Sequence, residues 1–146
     1  MVQYWSGRQL WRVRPDGSNP AKVGEFPVHF MKSNVPGGRS LLYARSAAPF
    51  EIRRAAMDGT GEDRVFAEGV LAPAFAVTGK FVYFVKAADQ SLYAQPLAGG
   101  PARRFGRVAL IGRLILGMTV SPDDRSVIWA NTEAPRSDLM LVRDFR

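Results

Sequence analysis

Apolar residues in this chain come in short runs rich in Val, Leu, Ile and aromatics, each closed by turn-forming residues. Three runs align without a gap: Arg39-Ser-Leu-Leu-Tyr-Ala-Arg45, Lys80-Phe-Val-Tyr-Phe-Val-Lys86 and Arg125-Ser-Val-Ile-Trp-Ala-Asn131. Each opens on a cation, carries an aromatic at its fifth position and ends on a polar residue. Their starts lie 41 and 45 residues apart. Such runs have the length and composition of β-strands. A second set reads Gln9-Leu-Trp-Arg-Val-Arg14, Glu51-Ile-Arg-Arg-Ala-Ala56, Ser91-Leu-Tyr-Ala-Gln-Pro96 and Asp138-Leu-Met-Leu-Val-Arg143, with Leu10, Ile52, Leu92 and Leu139 recurring at offsets of 42, 40 and 47. No segment keeps a capped 3.6-residue period, so essentially no helix is predicted.

The punctuation between runs is equally regular. Asp16-Gly17, Asp58-Gly59 and Gly99-Gly100 follow three members of the second set. Such pairs favour hairpins because those turns need positive φ. A further strand is predicted after each turn, over Ala21 to Phe26, Arg64 to Ala67 and Ala102 to Val108. Another precedes each member of the first set, over His29 to Asn34, Ala74 to Val77 and Gly117 to Val120. The unit is thus four antiparallel strands in about 40–45 residues, the period of a β-propeller blade. Tyr43, Phe84 and Trp129 share one repeat position, with Trp5 or Tyr4 as a fourth member. They are expected to pack between blades. Trp11 and Tyr93 share another position and are also expected in the core.

At Ser121-Pro-Asp-Asp-Arg125, followed by Val127-Ile-Trp-Ala130, the chain resembles the Ser-Pro-Asp-Gly-Lys/Arg hairpin of TolB-like, WD-like β-propeller repeats. Asp124 stands where that family usually has Gly. The closing segment Ser137 to Arg146 resembles the C-terminal end of a group of bacterial propellers. That resemblance implies a propeller of the kind attached to winged-helix or Ser/Thr kinase domains. It further implies loops and a channel that present binding surfaces to proteins or small ligands.

The fold expected is therefore all-β: a partial β-propeller of about three to four blades. The blades are expected at residues 1–26 (three strands), 27–68, 69–109 and 110–146 (three strands). That count, about fourteen strands, leaves three alternatives open. The chain is a portion of a larger parent, or it self-associates to complete a ring, or it closes alone as a small four-bladed ring.

Composition narrows the chemistry. The 146 residues contain no Cys and a single His, His29. This excludes disulfides, Cys-ligated metals, thiol nucleophiles and any site within one chain that needs two histidines. No Ser lies in a Gly-x-Ser-x-Gly context, and the phosphate-binding Gly-x4-Gly-Lys-Ser/Thr pattern is absent. No cofactor or metal is expected, and the chain is not expected to be an enzyme. A propeller portion of a hydrolase or peptidase is the alternative. Twenty Lys and Arg against thirteen Asp and Glu give +7, but the cations are scattered, so nucleic-acid binding is expected to be at most weak and nonspecific. The longest apolar stretch, Val108 to Val120, is broken by Arg113 and is shorter than the roughly 20 residues of a membrane helix. No secretory signal pattern opens the sequence, and the default expectation is a cytoplasmic chain with no membrane partner.

One constellation points to binding. Arg45, Lys86 and Asn131 end the second strand of successive blades, and Arg8, Asp89 and Arg136 are expected in the loops that follow. With His29 at the start of an innermost strand, these form a candidate face for a protein or a small anionic ligand. His29 alone reads as a packed or capping residue. Asp123-Asp124 reads as turn capping rather than a calcium loop, which needs several spaced oxygen ligands.

Overall fold

The computed structural model describes residues 1–26, 32–35, 37, 39–45, 50–58, 60, 63–108, 117–133 and 136–143. Thirteen strands run through them in chain order. They are β1 (Val2–Ser6), β2 (Gln9–Val13), β3 (Ala21–Glu25), β4 (Lys32–Asn34), β5 (Ser40–Arg45), β6 (Phe50–Ala56) and β7 (Arg64–Val77). There follow β8 (Phe81–Lys86), β9 (Ser91–Pro96), β10 (Arg103–Arg107), β11 (Met118–Val120), β12 (Ser126–Glu133) and β13 (Arg136–Arg143). Every pairing is between consecutive strands and antiparallel, as short turns between period-2 strands require.

The sheets are β1-β2-β3, then β4 through β10 as one seven-stranded sheet, then β11-β12-β13. The repeat predicts separate sheets for the two middle units, and the structure joins them. The join is β7, whose first part pairs with β6 and whose last residues pair with β8. Val70 pairs on both sides, with Phe50 and with Lys86. The register shifts between Val70 and Phe75. Gly69 departs from the extended backbone at φ +66°, and the stretch from Val70 to Val77 holds one Pro and no pair of turn residues, so the strand continues and an irregularity of register absorbs the change of partner.

The Asp-Gly signals mark turns but not two-residue hairpins. Seven residues, 14–20, separate β2 from β3. Within them Gly17 (φ +81°) donates its N–H to the Arg14 carbonyl at 2.9 Å, and Asn19 also takes positive φ. Pro15 and Pro20 flank the turn and lack the N–H a ladder would need, so the strands stop short of it. Asp16 caps the turn, accepting the Ser18 N–H and hydroxyl at 2.9 and 2.7 Å. Asp58 does the same for Thr60 at 3.0 and 2.7 Å.

Strand register repeats through the chain. Trp5, Ala44, Val85 and Ala130 stand opposite Leu10, Ile52, Leu92 and Leu139. One residue earlier, Tyr4, Tyr43, Phe84 and Trp129 stand opposite Trp11, Arg53, Tyr93 and Met140. Tyr4, not Trp5, is therefore the fourth aromatic of the series. Because side chains alternate across a strand, each unit has two faces. Leu41 and Tyr43 pack with Leu10 and Phe26 of the preceding unit. Val82 and Phe84 pack with Leu42 and Ala44. Val127 and Trp129 pack with Tyr83 and Val85. Each large apolar side chain fully removed from water contributes about 1.5–3 kcal/mol. Three such clusters hold the described units together. Trp11 and Tyr93 differ from expectation: both are only half-buried, and Tyr93 packs at the margin of its cluster.

Polar ties reinforce the apolar seams. Arg54 Nη1 donates to the Leu97 carbonyl at 2.8 Å, and Gln95 Nε2 donates to the Phe66 carbonyl at 3.1 Å. The buried Tyr83 hydroxyl donates to Asp124 Oδ1 at 3.0 Å, across the seam between β8 and the β11–β12 turn.

Candidate functional site

The candidate face is built from the turn that follows the aromatic strand of each unit. In the first unit Gly7, at φ +59°, allows the tight β1–β2 reversal that presents Arg8. The Arg8 carbonyl accepts the Phe26 N–H at 2.9 Å, which ties the end of β3 to the turn. The Gln90 carbonyl accepts the Val108 N–H at 2.8 Å in the equivalent place two units later. The Arg8 charge also helps hold the Glu25 carboxyl below its ordinary range, after the larger effects of Lys22 and Gln9.

Arg45 ends β5 and meets Glu51, the first residue opposite it, at 3.1 Å. Glu51 also lies 3.2 Å from Arg53 Nη1. Arg53 continues the chain of charges: Nε donates to Asp63 Oδ1 at 2.9 Å and Nη2 to the Asp63 carbonyl at 2.6 Å. Burial alone would lower the Arg53 pKa, but Asp63 and then Glu51 raise it. The Tyr43 hydroxyl donates to the other Asp63 oxygen. Burial first, and then Asp63, push this phenol above its ordinary range.

Lys86 ends β8 and sits over the Tyr93 ring, its Nζ 4.9 Å from the centroid. Tyr93 stacks on Phe84 and donates its hydroxyl to Asp89 Oδ2 at 2.9 Å. Asp89 accepts the Ser91 N–H at 3.2 Å and lies 3.7 Å from Arg104 Nε. Burial would raise the Asp89 pKa, but Tyr93, Ser91 and Arg104 together hold it below the ordinary carboxylate range. Gln90, at φ +51°, closes this turn.

In the last unit β12 and β13 run further than predicted. Thr132 pairs with Ser137 and Glu133 with Arg136, so Arg136 is a strand residue and not a loop residue. Asn131 stands opposite Asp138 in the same ladder. The cause is local: Asn131-Thr-Glu133 continues the extended backbone before the Ala-Pro step, whose Pro cannot donate to a ladder. His29 lies outside the described residues.

The structure therefore places Arg45 and Lys86 at one register position at the ends of β5 and β8, has Arg8 in the turn of the first unit's hairpin, and sets Glu51 beside Arg45 and Asp89 beside the Lys86–Tyr93 pair. Of these cations, Arg45 has a carboxylate partner and Lys86 an aromatic ring. Sequence reasoning missed Asp63 and Arg53, whose partnership crosses a turn, and the reach of Asp124 to another unit. For Asp124 a signal existed, since an acid replaces the usual turn Gly. Asp123 keeps the turn-capping role: its Oδ1 accepts the Ser121 hydroxyl at 2.5 Å and the Arg125 N–H at 3.2 Å. Among the described residues, no three of His, Asp and Glu gather as a metal-binding group, and no helix is long and apolar enough to cross a membrane.

Four-strand repetition, common register and face-to-face seams define the chain as an all-β, partial β-propeller. No family model matches the sequence, and no curated protein matches it. Solved structures do. A TolB from Agrobacterium tumefaciens superposes with a TM-score of 0.66 at 18% identity, over 97% of this chain and 53% of that one. TolB from Acinetobacter baumannii gives 0.65 at 14% identity, over 93% and 35%. A chain of the nidogen/laminin complex gives 0.63 at 10% identity, over 92% and 53%. The fold is the TolB-like propeller, and this chain spans about half the length of the first of these structures and about a third of the second.

Proposed function

We propose that the chain is a non-catalytic propeller module that binds a protein partner through the hairpin ends bearing Arg8, Arg45 and Lys86. The observation that carries this reading is the Lys86–Tyr93–Asp89–Arg104 cluster. Around one hairpin end it sets a tyrosine ring and an arginine, residue types enriched at protein interfaces, beside a lysine and a carboxylate. The state of the acids supports it. Asp16, Glu25, Glu51, Asp58, Asp63, Asp89, Asp123 and Asp124 each serve a turn, an ion pair or a tyrosine, which leaves them ill placed for general acid–base work. One structural relative comes from a complex of two proteins, nidogen and laminin. Acidic loops are the complementary partner, and small anions are the weaker competitors for the same cations.

The test is fluorescence anisotropy with a set of labelled acidic peptides, repeated with inorganic phosphate and with duplex DNA. The double variant Arg45→Glu, Lys86→Glu is expected to weaken peptide binding at least about tenfold and to flatten its salt dependence. Peptide binding that is indifferent to this reversal refutes the reading. Turnover of peptide, ester or lactone substrates would favour the hydrolase alternative. Salt-sensitive DNA binding alone would mark the charge as nonspecific.

A further inference from the structure

The seams between units follow a common pattern. In the two later seams the third and fifth residues of the aromatic strand, Val82 and Phe84 or Val127 and Trp129, seat against the fourth and sixth of the preceding one, Leu42 and Ala44 or Tyr83 and Val85; in the first, Leu41 and Tyr43 pack in a cluster with Leu10, Phe26 and Trp5, the sixth residue of the preceding strand. At the first unit the third and fifth residues are Val2 and Tyr4, 48% and 41% exposed, where Leu41 and Tyr43 are 1% and 0%. At the last unit the fourth residue is Ile128, 37% exposed, where Leu42 and Tyr83 are 0% and 1%. Tyr4 stacks on Trp11, with centroids 6.4 Å apart, to form an aromatic plate. The buried Trp11 Nε1 finds no acceptor among the described residues, whereas Arg53 and Tyr93, at the same register position, donate to Asp63 and Asp89. Among the described residues, Val2 and Tyr4 at one end and Ile128 at the other thus expose apolar side chains at the positions that form the seams elsewhere.

We infer that a second copy of this chain covers both faces. The Val2–Tyr4 face of each copy seats on the Ile128 face of the other, and the two partial propellers close into one ring. A single copy supplies each face with the half-seam it lacks, and a twofold axis makes the two contacts equivalent. Unit number agrees. One copy contributes units of three, four, four and three strands when β7 is counted in both of its units. Two copies give about eight units, within the range of roughly four to eight at which propellers close. A head-to-tail contact that closes gives a ring of fixed size, and one that does not gives filaments. This assembly is independent of the hairpin-end reading, which is probed by other residues.

The experiment is multi-angle light scattering of the full chain across a concentration series, with circular dichroism on the same peak. The expected result is a β-rich particle of twice the chain mass. Tyr4→Glu and Ile128→Glu are each expected to weaken association at least about a hundredfold while leaving the dichroism spectrum unchanged, because each forces a carboxylate against an apolar face. Mixing the two variants restores a pair, since one seam then stays intact. A concentration-independent monomer overturns the inference and leaves these faces to blades of a longer chain. A dimer that survives both substitutions, a dimer lost in only one of them, or growth into polymers overturns it equally.

Discussion

Asp124→Gly restores the residue the Ser-Pro-Asp-Gly turn ordinarily carries, and the structure gives opposing terms for it. Asp124 sits at φ +59°, a region that costs an L-residue about 1–2 kcal/mol, with Asp at the lower end. Gly removes that strain but adds freedom to the unfolded chain, so the backbone gain is at most about 1 kcal/mol. Against it stands the hydrogen bond from the buried Tyr83 hydroxyl, 3.0 Å long and ending on a charged acceptor. Such bonds contribute about 1.5–3 kcal/mol, and losing one leaves a buried hydroxyl without this partner. The net expectation is destabilisation by about 1 kcal/mol. Tyr83→Phe is expected to cost a similar amount, because half-buried Asp124 is then free to take up water. The double variant should cost little more than either single one, giving a coupling of about 1–2 kcal/mol. Urea unfolding followed by dichroism and tryptophan fluorescence measures all four proteins. Asp124→Gly equal to or more stable than the parent, or a coupling below about 0.3 kcal/mol, would show that the tyrosine–aspartate bond does not hold the seam.

Trp129 offers a contrast. Its indole Nε1 is buried and finds no acceptor among the described residues, so Trp129→Phe should change stability by less than about 1 kcal/mol, while Trp129→Ala should cost about 3–5; a melting series would contradict this if Phe proved as costly as Ala. At high pH, stability should fall. Burial, then Asp63 and Asp124, keep the Tyr43 and Tyr83 phenols protonated past their ordinary value of 10.0. The unfolded chain releases these protons first, so the stability they lend is whole below that value and drains as pH rises beyond it. At low pH the sign reverses. Asp16 and Asp58, held down first by the N–H of Ser18 and Thr60, and Asp123, held down first by the Ser121 hydroxyl, stabilise the fold above the ordinary carboxylate range and lose that effect as pH falls through it. Urea midpoints from pH 2 to 11 should therefore trace a plateau with two falling limbs, and replacing both tyrosines by Phe should flatten the alkaline one.

Much of the architecture was legible in the residues themselves, because it depends on local rules. Period-2 runs place side chains alternately on two faces, and Gly, Asp and Pro set where strands stop. The recurrence of Leu10, Ile52, Leu92 and Leu139 therefore carried the strand order and the seam positions without reference to any contact. Only the tertiary structure could decide what depends on residues far apart in sequence. It made β7 a shared strand by pairing Val70 on both sides. It assigned Tyr4 rather than Trp5 to the aromatic series through the β1–β2 register. It set Glu51 against Arg45 and Asp89 against Tyr93 and Arg104. It gave Asp124 a partner 41 residues away in Tyr83. A single sequence shows which groups bear charge or hydrogen-bonding capacity. Which partner satisfies each group is settled only when blades pack, because desolvation makes one pairing favourable at the expense of the others.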